Sequence, residues 1–228
     1  MLIYAKQPVY YFIQNHPHKI KTLYLAKEIE KKEYARFMKM GFEVKRIPKD
    51  AAIKMSKNMP HQGFLAEVDD YMPDSYKNFL DKEFVLVLSS LTDVGNIGAL
   101  VRSAYALGVD AIVACGVKQL PFEHIMRTST GALVDMPFAI SHNIYDVLND
   151  FKMSGFLSYG ADMGGVDIRQ ASISPKRVLV LGSEGEGLTK RVVSKLDNIV
   201  SIKMAHDFDS LNVSVAGAIL MDRMRYDG

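Results

Sequence analysis

Apolar residues recur along the chain in short runs, and their spacing divides it into two stretches of different character. In the first, Val9–Gln14 carries a helical spacing, Thr22–Ala26 reads as extended, and Glu30–Met40 reads as a helix that stops at Gly41. Phe42–Ile47 and Gly63–Val68 read as further extended segments, so residues 1–70 are expected to form a small α/β unit. The polar stretch Asp69–Lys82 (DDYMPDSYKNFLDK), with Pro73 inside it, keeps neither period, and a linker is expected over 71–83.

From Phe84 the pattern becomes buried strand, turn and helix in repetition. FVLVLSS, AIVAC, MPFAI, GFLSYG, RVLVLG and IVSIKM are short apolar runs rich in β-branched residues, mostly separated by amphipathic stretches. Continuous apolar runs belong to strands covered on both faces, and alternation with helices implies a parallel sheet between helical layers. The expected fold class is therefore α/β, with one domain over 84–228. A sheet of this kind presents its ligand at the carboxyl ends of the strands, which makes the loops after the strands the place to look for chemistry.

Composition narrows the class. With 48% hydrophobic and 24% charged residues and a formal net charge of +2, the chain is a folding one rather than a disordered one. A single cysteine, Cys115, excludes a disulfide framework and favours a reducing compartment. No run of about eighteen apolar residues could span a bilayer, and Lys6 and Pro8 interrupt the apolar start in a way unlike a signal peptide. The expectation is a cytoplasmic protein. The near-neutral total hides an asymmetry that bears on partners: residues 1–78 hold fourteen Lys and Arg against nine Asp and Glu, while 79–228 hold fourteen against seventeen. A basic front third attracts polyanions through counterion release, with Lys19, Lys21, Arg36, Lys45 and Arg46 as the candidate contacts. Solvating lysines on exposed helix faces would account for a surplus of this size equally well.

Three strand-end loops stand out. In LTDVGNIGALVRSAYALG (91–108), Asp93, Gly95, Asn96 and Gly98 fall at a strand-to-helix turn and Arg102 follows on the helix. Asn96 can cap or clamp a ligand and Arg102 can project a fixed cation, although plain turn chemistry would also explain the loop. In LVLGSEGEGL (179–188) the glycines are spaced G-x-x-G-x-G, and the chain has no G-x-x-x-x-G-K-[ST] phosphate loop, so a nicotinamide or nucleoside-triphosphate site lacks its fingerprint. Glu184 and Glu186 there suit a cationic or hydroxyl-bearing ligand better than a pyrophosphate. In SIKMAHDFDSLNVSVAGAILMDRM (201–224), Ser210 sits at an expected helix N-cap with Asn212 in the first turn, and Ala216, Gly217 and Ala218 offer a small-residue face for close helix packing. Cys115 reads as a core residue, His61, His124 and His206 have no metal-ligand spacing, and no G-x-S-x-G elbow is present.

Taken in order, T-D-x-x-N-x-G-x-x-x-R at 92–102, G-S-E-G-E-G-L at 182–188 and S-L-N-V-S-V-A at 210–216 resemble the three motifs of the SpoU-type (SPOUT superfamily) methyltransferases, over residues 84–225. IYAKQPVYYFIQ near the start and HQGFLAEV at 61–68 resemble the ribosomal-protein L30e-like RNA-binding domain of the branch that 2′-O-methylates a guanosine in large-subunit ribosomal RNA. The resemblance implies a deep trefoil knot in the C-terminal domain, a homodimer, and methyl transfer from S-adenosylmethionine to a ribose 2′-hydroxyl without a metal. It assigns cofactor contacts to Gly160, Gly182, Leu188, Ile202 and Leu211, and catalytic or substrate-orienting roles to Asn96, Arg102, Glu184, Ser210 and Asn212. A transfer-RNA ribose methyltransferase, or a non-catalytic RNA-binding ribosome-assembly factor of the same fold, are the alternatives the resemblance leaves open.

Overall fold

The computed structural model describes residues 1–183, 185–206 and 210–226, with Tyr226 by its backbone alone. The chain divides into two compact units, Met1–Met72 with Pro121–Val134 and Pro73–Leu120 with Asp135–Gly228.

In the first unit, strands β1 (Leu2–Tyr4), β2 (Ile20–Leu25), β3 (Glu43–Arg46) and β4 (Phe64–Val68) make one sheet in the order β1-β4-β2-β3. Only the β2/β3 pair is parallel. Helix α1 (Lys6–Asn15) buries Pro8, Val9, Phe12 and Ile13, the spacing of a single helix face, against β1 and β4. The Tyr10 ring meets Phe64 edge-on at 5.2 Å and Phe37 at 6.1 Å, tying α1 to α2 (Lys31–Phe37). Helix α2 is shorter than its sequence pattern because the chain tightens after Phe37, where Lys39 and Met40 donate to the carbonyls three residues back. Strand β1 is too short to display a period, and α3 (Lys49–Met55) buries only Ala52, so neither was legible beforehand.

The second unit is the expected parallel α/β sheet. Its elements run β5 (Phe84–Ser89), α4 (Val94–Leu107), β6 (Ala111–Cys115), β7 (Phe138–Ser141), α6 (Ile144–Met153), β8 (Leu157–Asp167), β9 (Arg177–Leu181), α7 (Lys190–Val193), β10 (Asn198–Ser201) and α8 (Val213–Tyr226). The helix between β6 and β7, α5 (Phe122–Thr128), belongs with the first unit. All six strands are parallel, in the order β10-β8-β9-β5-β6-β7. Strands β5, β6 and β9 are buried at every residue, as strands covered on both faces must be. Strand order reverses between β5, which leads to β6 on one side, and β9, which leads outward to β10 on the other. Ligands of such sheets bind beyond the carboxyl ends of the strands near that reversal.

Two departures from the sequence pattern matter. The break between units falls after Met72, inside the polar 71–83 stretch, but the rest of that stretch is structured: Asp74 bridges to Ala139 and Phe79 is buried in the second unit's core. Residues 121–134, between β6 and β7, are counted with the first unit, where Gly131 rests on the Tyr11 ring; a Cβ there would come 2.8 Å from three Tyr11 carbons.

Candidate functional site

A cavity of about 620 Å³ opens at the carboxyl ends of β8, β9 and β10. Strand β9 contributes Leu181 and the loop that follows it, Gly182, Ser183 and Gly185–Gly187. Strand β10 contributes Val200 and Ser201 and runs on into Ile202 and Met204, which close the next side. Ser210, Leu211 and Asn212 just before α8, then Val213 and, one and two turns on, Ala216 and Leu220 complete the wall.

The loop after β9 is a tight closure. Gly187 N–H donates to the Ser183 carbonyl at 3.0 Å, and the two residues form an antiparallel bridge. Gly187 adopts φ +65°, a conformation glycine enters without cost. Gly182 has ordinary dihedrals but no space, because a Cβ there would fall on the carbonyl of Gly187 and the nitrogen of Leu188. Gly185, at φ +84°, is left-handed as well, so the spacing of the three glycines follows from two left-handed positions and one close backbone approach. Glu184 lies outside the described residues.

The loop after β5 is organised differently from the turn expected. Helix α4 begins at Val94, so Gly95, Asn96 and Gly98 lie within it, and Asp93 is the N-cap, its carboxylate accepting the Asn96 backbone N–H at 2.7 Å. Asn96 is thus not the cap of α4, and its side-chain oxygen accepts a hydrogen bond from the Asn212 amide at 2.9 Å, across 116 residues of sequence. Asn212 in turn caps α8: its side-chain oxygen accepts from the backbone N–H groups of Ser214 at 2.9 Å and Val215 at 3.4 Å, and from the Ser214 hydroxyl at 2.5 Å. The cap expected at Ser210 thus falls on Asn212, since the helix starts two residues later than the pattern suggested. Ser210 is exposed at the cavity instead.

This double use of one amide makes a separable prediction. Asn212→Asp keeps the capping oxygen and loses the donor to Asn96. Unfolding free energy should stay within about 0.5 kcal/mol of the wild type, whereas Asn212→Ala should lose about 1 kcal/mol. Chemical denaturation of the two variants side by side reads the difference.

The nominated residues distribute unevenly. Gly182, Ile202, Leu211, Ser210 and Asn212 line the cavity. Gly160 and Leu188 stand behind its wall: the Leu188 and Ile199 side chains come within 3.0 and 3.1 Å of where a Gly160 Cβ would be, and Leu188 is buried in the sheet core. Arg102 is exposed on α4, whose Ile97, Leu100, Val101 and Ala104 are buried, and it is not part of the cavity wall.

One contribution to the wall was missed. Strand β8 pairs with β10 at Tyr159 and Gly160 and again at Val166 and Asp167, and Ala161–Gly165 fall outside the ladder between them. This excursion carries Ala161, Asp162 and Met163 to the cavity, with Met163 64% exposed and Asp162 accepting the Gly164 N–H at 3.0 Å. Paired glycines inside an apparent strand were the available signal. The finished wall has two carboxylates among its described residues, Asp162 and Glu186, no basic side chain, and a large apolar share. It suits a small cationic ligand with a flat apolar part.

In the first unit, the nominated cations are partly engaged. Lys21 pairs with Asp69 at 3.3 Å, Lys45 pairs with Glu43 at 2.8 Å, and the Arg46 guanidinium lies 4.7 Å over the Tyr34 ring. Lys19 is half-buried and Arg36 is exposed. Among the described residues no helix is long and apolar enough to cross a membrane, and no group of three or more His, Cys, Asp and Glu is placed to hold a metal ion.

Comparison with known proteins agrees with this geometry. The model of the SpoU rRNA Methylase family matches residues 83–222, and that of RNA 2′-O ribose methyltransferase substrate binding matches residues 2–73. A protein of Staphylococcus aureus (strain COL), named for the TrmH family of tRNA/rRNA methyltransferases, is 28% identical over 217 residues, covering 90% of this chain and 87% of its own. A protein of Staphylococcus epidermidis with the same description is 30% identical over 187 residues, covering 78% and 75%. Among solved structures, the SpoU methyltransferase AviRb of Streptomyces viridochromogenes in complex with AdoMet superposes with a TM-score of 0.78 at 23% identity, covering 99% of this chain and 89% of that one. With its first unit matching a substrate-binding model and its parallel sheet a methylase model, the chain belongs to the SpoU rRNA methylase family.

Proposed function

We propose that this protein transfers a methyl group from S-adenosylmethionine to a ribose 2′-hydroxyl of RNA, with a guanosine of large-subunit ribosomal RNA as the substrate and the cytoplasm as the setting. The observation that carries the reading is the cavity itself: three strand ends and the start of α8 meet there, and the Asn96–Asn212 bond links its wall to α4, the helix that bears Arg102. Its volume of about 620 Å³ falls in the range of small-molecule sites, roughly 300 to 1,000 Å³. Backbone groups of Gly182, Ile202 and Leu211 and the apolar side chains beside them fit an adenosine, and Asp162 and Glu186 complement a cationic ligand. Gly160 and Leu188 support that wall from behind.

When bound, S-adenosylmethionine supplies a methyl group already activated on a sulfonium. The protein's part is alignment and charge. In this reading Arg102, which is exposed and outside the cavity wall, takes an RNA phosphate and stabilises the oxygen as it gains charge. A guanidinium stays protonated in water, so the 2′-hydroxyl proton leaves to a phosphate oxygen or to water rather than to Arg102. Asn96 and Asn212 hold α4 and α8 together, Ser210 lines the cavity, and Glu184, outside the described residues, is assigned to orienting the cofactor. Lys19, Lys21, Arg36, Lys45 and Arg46 extend RNA contact over the first unit.

Two structural expectations accompany the reading. Strand β10 lies at the sheet edge, yet α8 packs on α4, with Gly217 against Leu100 and Leu181; this placement supports a trefoil knot. The small-residue face of α8 is thereby used within the chain, and Val215 and Ile219, 48% and 36% exposed, are left as the face for a homodimer. Sedimentation equilibrium giving twice the 25.5 kDa chain mass supports the dimer, and the single mass refutes it. The L30e-like character of the first unit is the counterpart expectation for RNA binding.

The relatives' names cover both tRNA and rRNA, so transfer RNA is the second reading. Calorimetric titration with S-adenosylmethionine, then tritium transfer to ribosomal and transfer RNA from cells lacking the protein, separates the two. No heat of binding, and no incorporation into either RNA, would overturn both.

A further inference from the structure

The first unit has a hollow of its own, of about 660 Å³, between the end of β2, helix α3 and the turn that enters β4. Its rim carries Lys27, Lys49, Asn58, His61 and Gln62, and no carboxylate lines it. Ile53, Met59 and Pro60 give it an apolar floor.

The polar groups of this rim are held in defined orientations. The Lys27 stem lies across Gly63, where a Cβ would come within 2.6 to 2.9 Å of three Lys27 carbons, and its ammonium sits 4.8 Å over the Phe64 ring. Gln62 accepts the Lys6 backbone N–H through its side-chain oxygen at 2.9 Å, which fixes the amide and leaves its NH₂ as the group to be offered. His61 accepts the Gly63 N–H at Nδ1, at 3.1 Å, so the neutral ring carries its proton on Nε2 and presents a donor. The backbone supporting these groups is unusual: Lys57, Asn58 and Gln62 have φ of 52°, 63° and 54°. Such left-handed non-glycine residues cost energy and concentrate at ligand-binding sites.

Donors and cations above an apolar floor, without an acceptor of negative charge, describe a receptor for an anionic group joined to a flat apolar one. We propose that this hollow binds one unpaired nucleotide of the RNA substrate, its phosphate on Lys27 and Lys49 and its base on the Met59 and Ile53 side chains. Free phosphate would use the cations and leave the floor unused. Duplex RNA keeps its bases stacked inside the helix and cannot fill the floor, whereas unpaired bases are the ones proteins splay out and cover. None of Lys19, Lys21, Arg36, Lys45 and Arg46 lines the hollow, and the proposal rests on the reading of the protein as an RNA methyltransferase.

The test uses the full chain and two fluorescein-labelled probes, a mixed-sequence single-stranded RNA and the duplex of the same sequence, read by anisotropy at fixed salt. Lys27→Met keeps the aliphatic stem over Gly63 and removes the charge; Lys49→Met removes the other. Each should weaken single-strand binding several-fold, the pair about tenfold or more, with the duplex affected less. Lys39→Met, an exposed lysine of the same unit away from the hollow, should change binding by less than about twofold. Photocrosslinks from 4-thiouridine in the single strand should map to residues 53–63. Equal losses for Lys27→Met and Lys39→Met, or crosslinks confined to other segments, overturn the proposal. Calorimetry with S-adenosylmethionine on the wild type keeps the two readings apart. Cofactor binding with an insensitive single strand refutes the hollow alone, and a hollow that behaves as described in a protein that binds no cofactor refutes the methyltransferase alone.

Discussion

Arg102→Ala should lower methyl transfer to RNA by at least about 10²-fold while S-adenosylmethionine affinity stays within a few-fold. The separation follows from position. Arg102 is exposed on α4, outside the cavity wall, and its removal leaves the buried face of the helix, Ile97, Leu100, Val101 and Ala104, untouched. An exposed side chain with no buried packing changes stability by less than about 0.5 kcal/mol, so the melting temperature should hardly move. Arg102→Lys keeps a point charge and loses the planar fork that grips a phosphate, and it should recover only part of the loss. Single-turnover transfer with saturating cofactor, alongside calorimetry, is the measurement. Near-normal turnover in Arg102→Ala would refute the assigned role.

Gly182→Ala is expected to have the second large effect, on cofactor affinity and fold together. A methyl group there falls on the Gly187 carbonyl and the Leu188 nitrogen, which are backbone atoms and cannot swing aside as a side chain would. Either the loop after β9 opens or the end of β9 shifts. Overpacking of this kind costs about 1–3 kcal/mol, and because the loop is itself cavity wall, cofactor affinity should drop about tenfold or more. Gly164→Ala is the control, since its nearest neighbour would be the Asp162 carboxylate at 3.6 Å, an ordinary contact, and its stability should match the wild type. Calorimetry and urea denaturation on the two alanine variants decide the matter.

Much of this site was legible in sequence because strand ends in a parallel sheet are few and their loops carry distinctive chemistry. The glycine spacing at 182–187 marked the cavity loop, and the Asn96 and Asn212 positions marked the residues that bridge α4 to α8. The reasons behind these marks were not legible. Only the fold shows that Gly182 is dictated by a backbone five residues away, or that Asn212 rather than Ser210 caps α8. The excursion at Ala161–Gly165 was hidden because the apolar run GFLSYG ends at Gly160, and nothing beyond it shows that pairing with β10 resumes at Val166. Residues 121–134 were hidden for another reason. They lie between two strands of the second unit, and nothing local shows that Gly131 will meet Tyr11. The hollow around Lys27 and Gly63 joins positions thirty-six apart, and a count of basic residues directs attention to the exposed lysines instead.

Cys115 ends β6 in the middle of the second unit's core, 1% exposed, and burial pushes its thiol up to about 12. It is the chain's one cysteine, so the molecule carries a natural clock for its own opening: an alkylating reagent can reach that sulfur only in moments when the sheet comes apart. Pulsed alkylation read by mass spectrometry would time those moments without any introduced label. A ligand seated in the cavity beside β9 and β10 would lengthen the intervals between them by a factor of one plus the ratio of free ligand concentration to Kd.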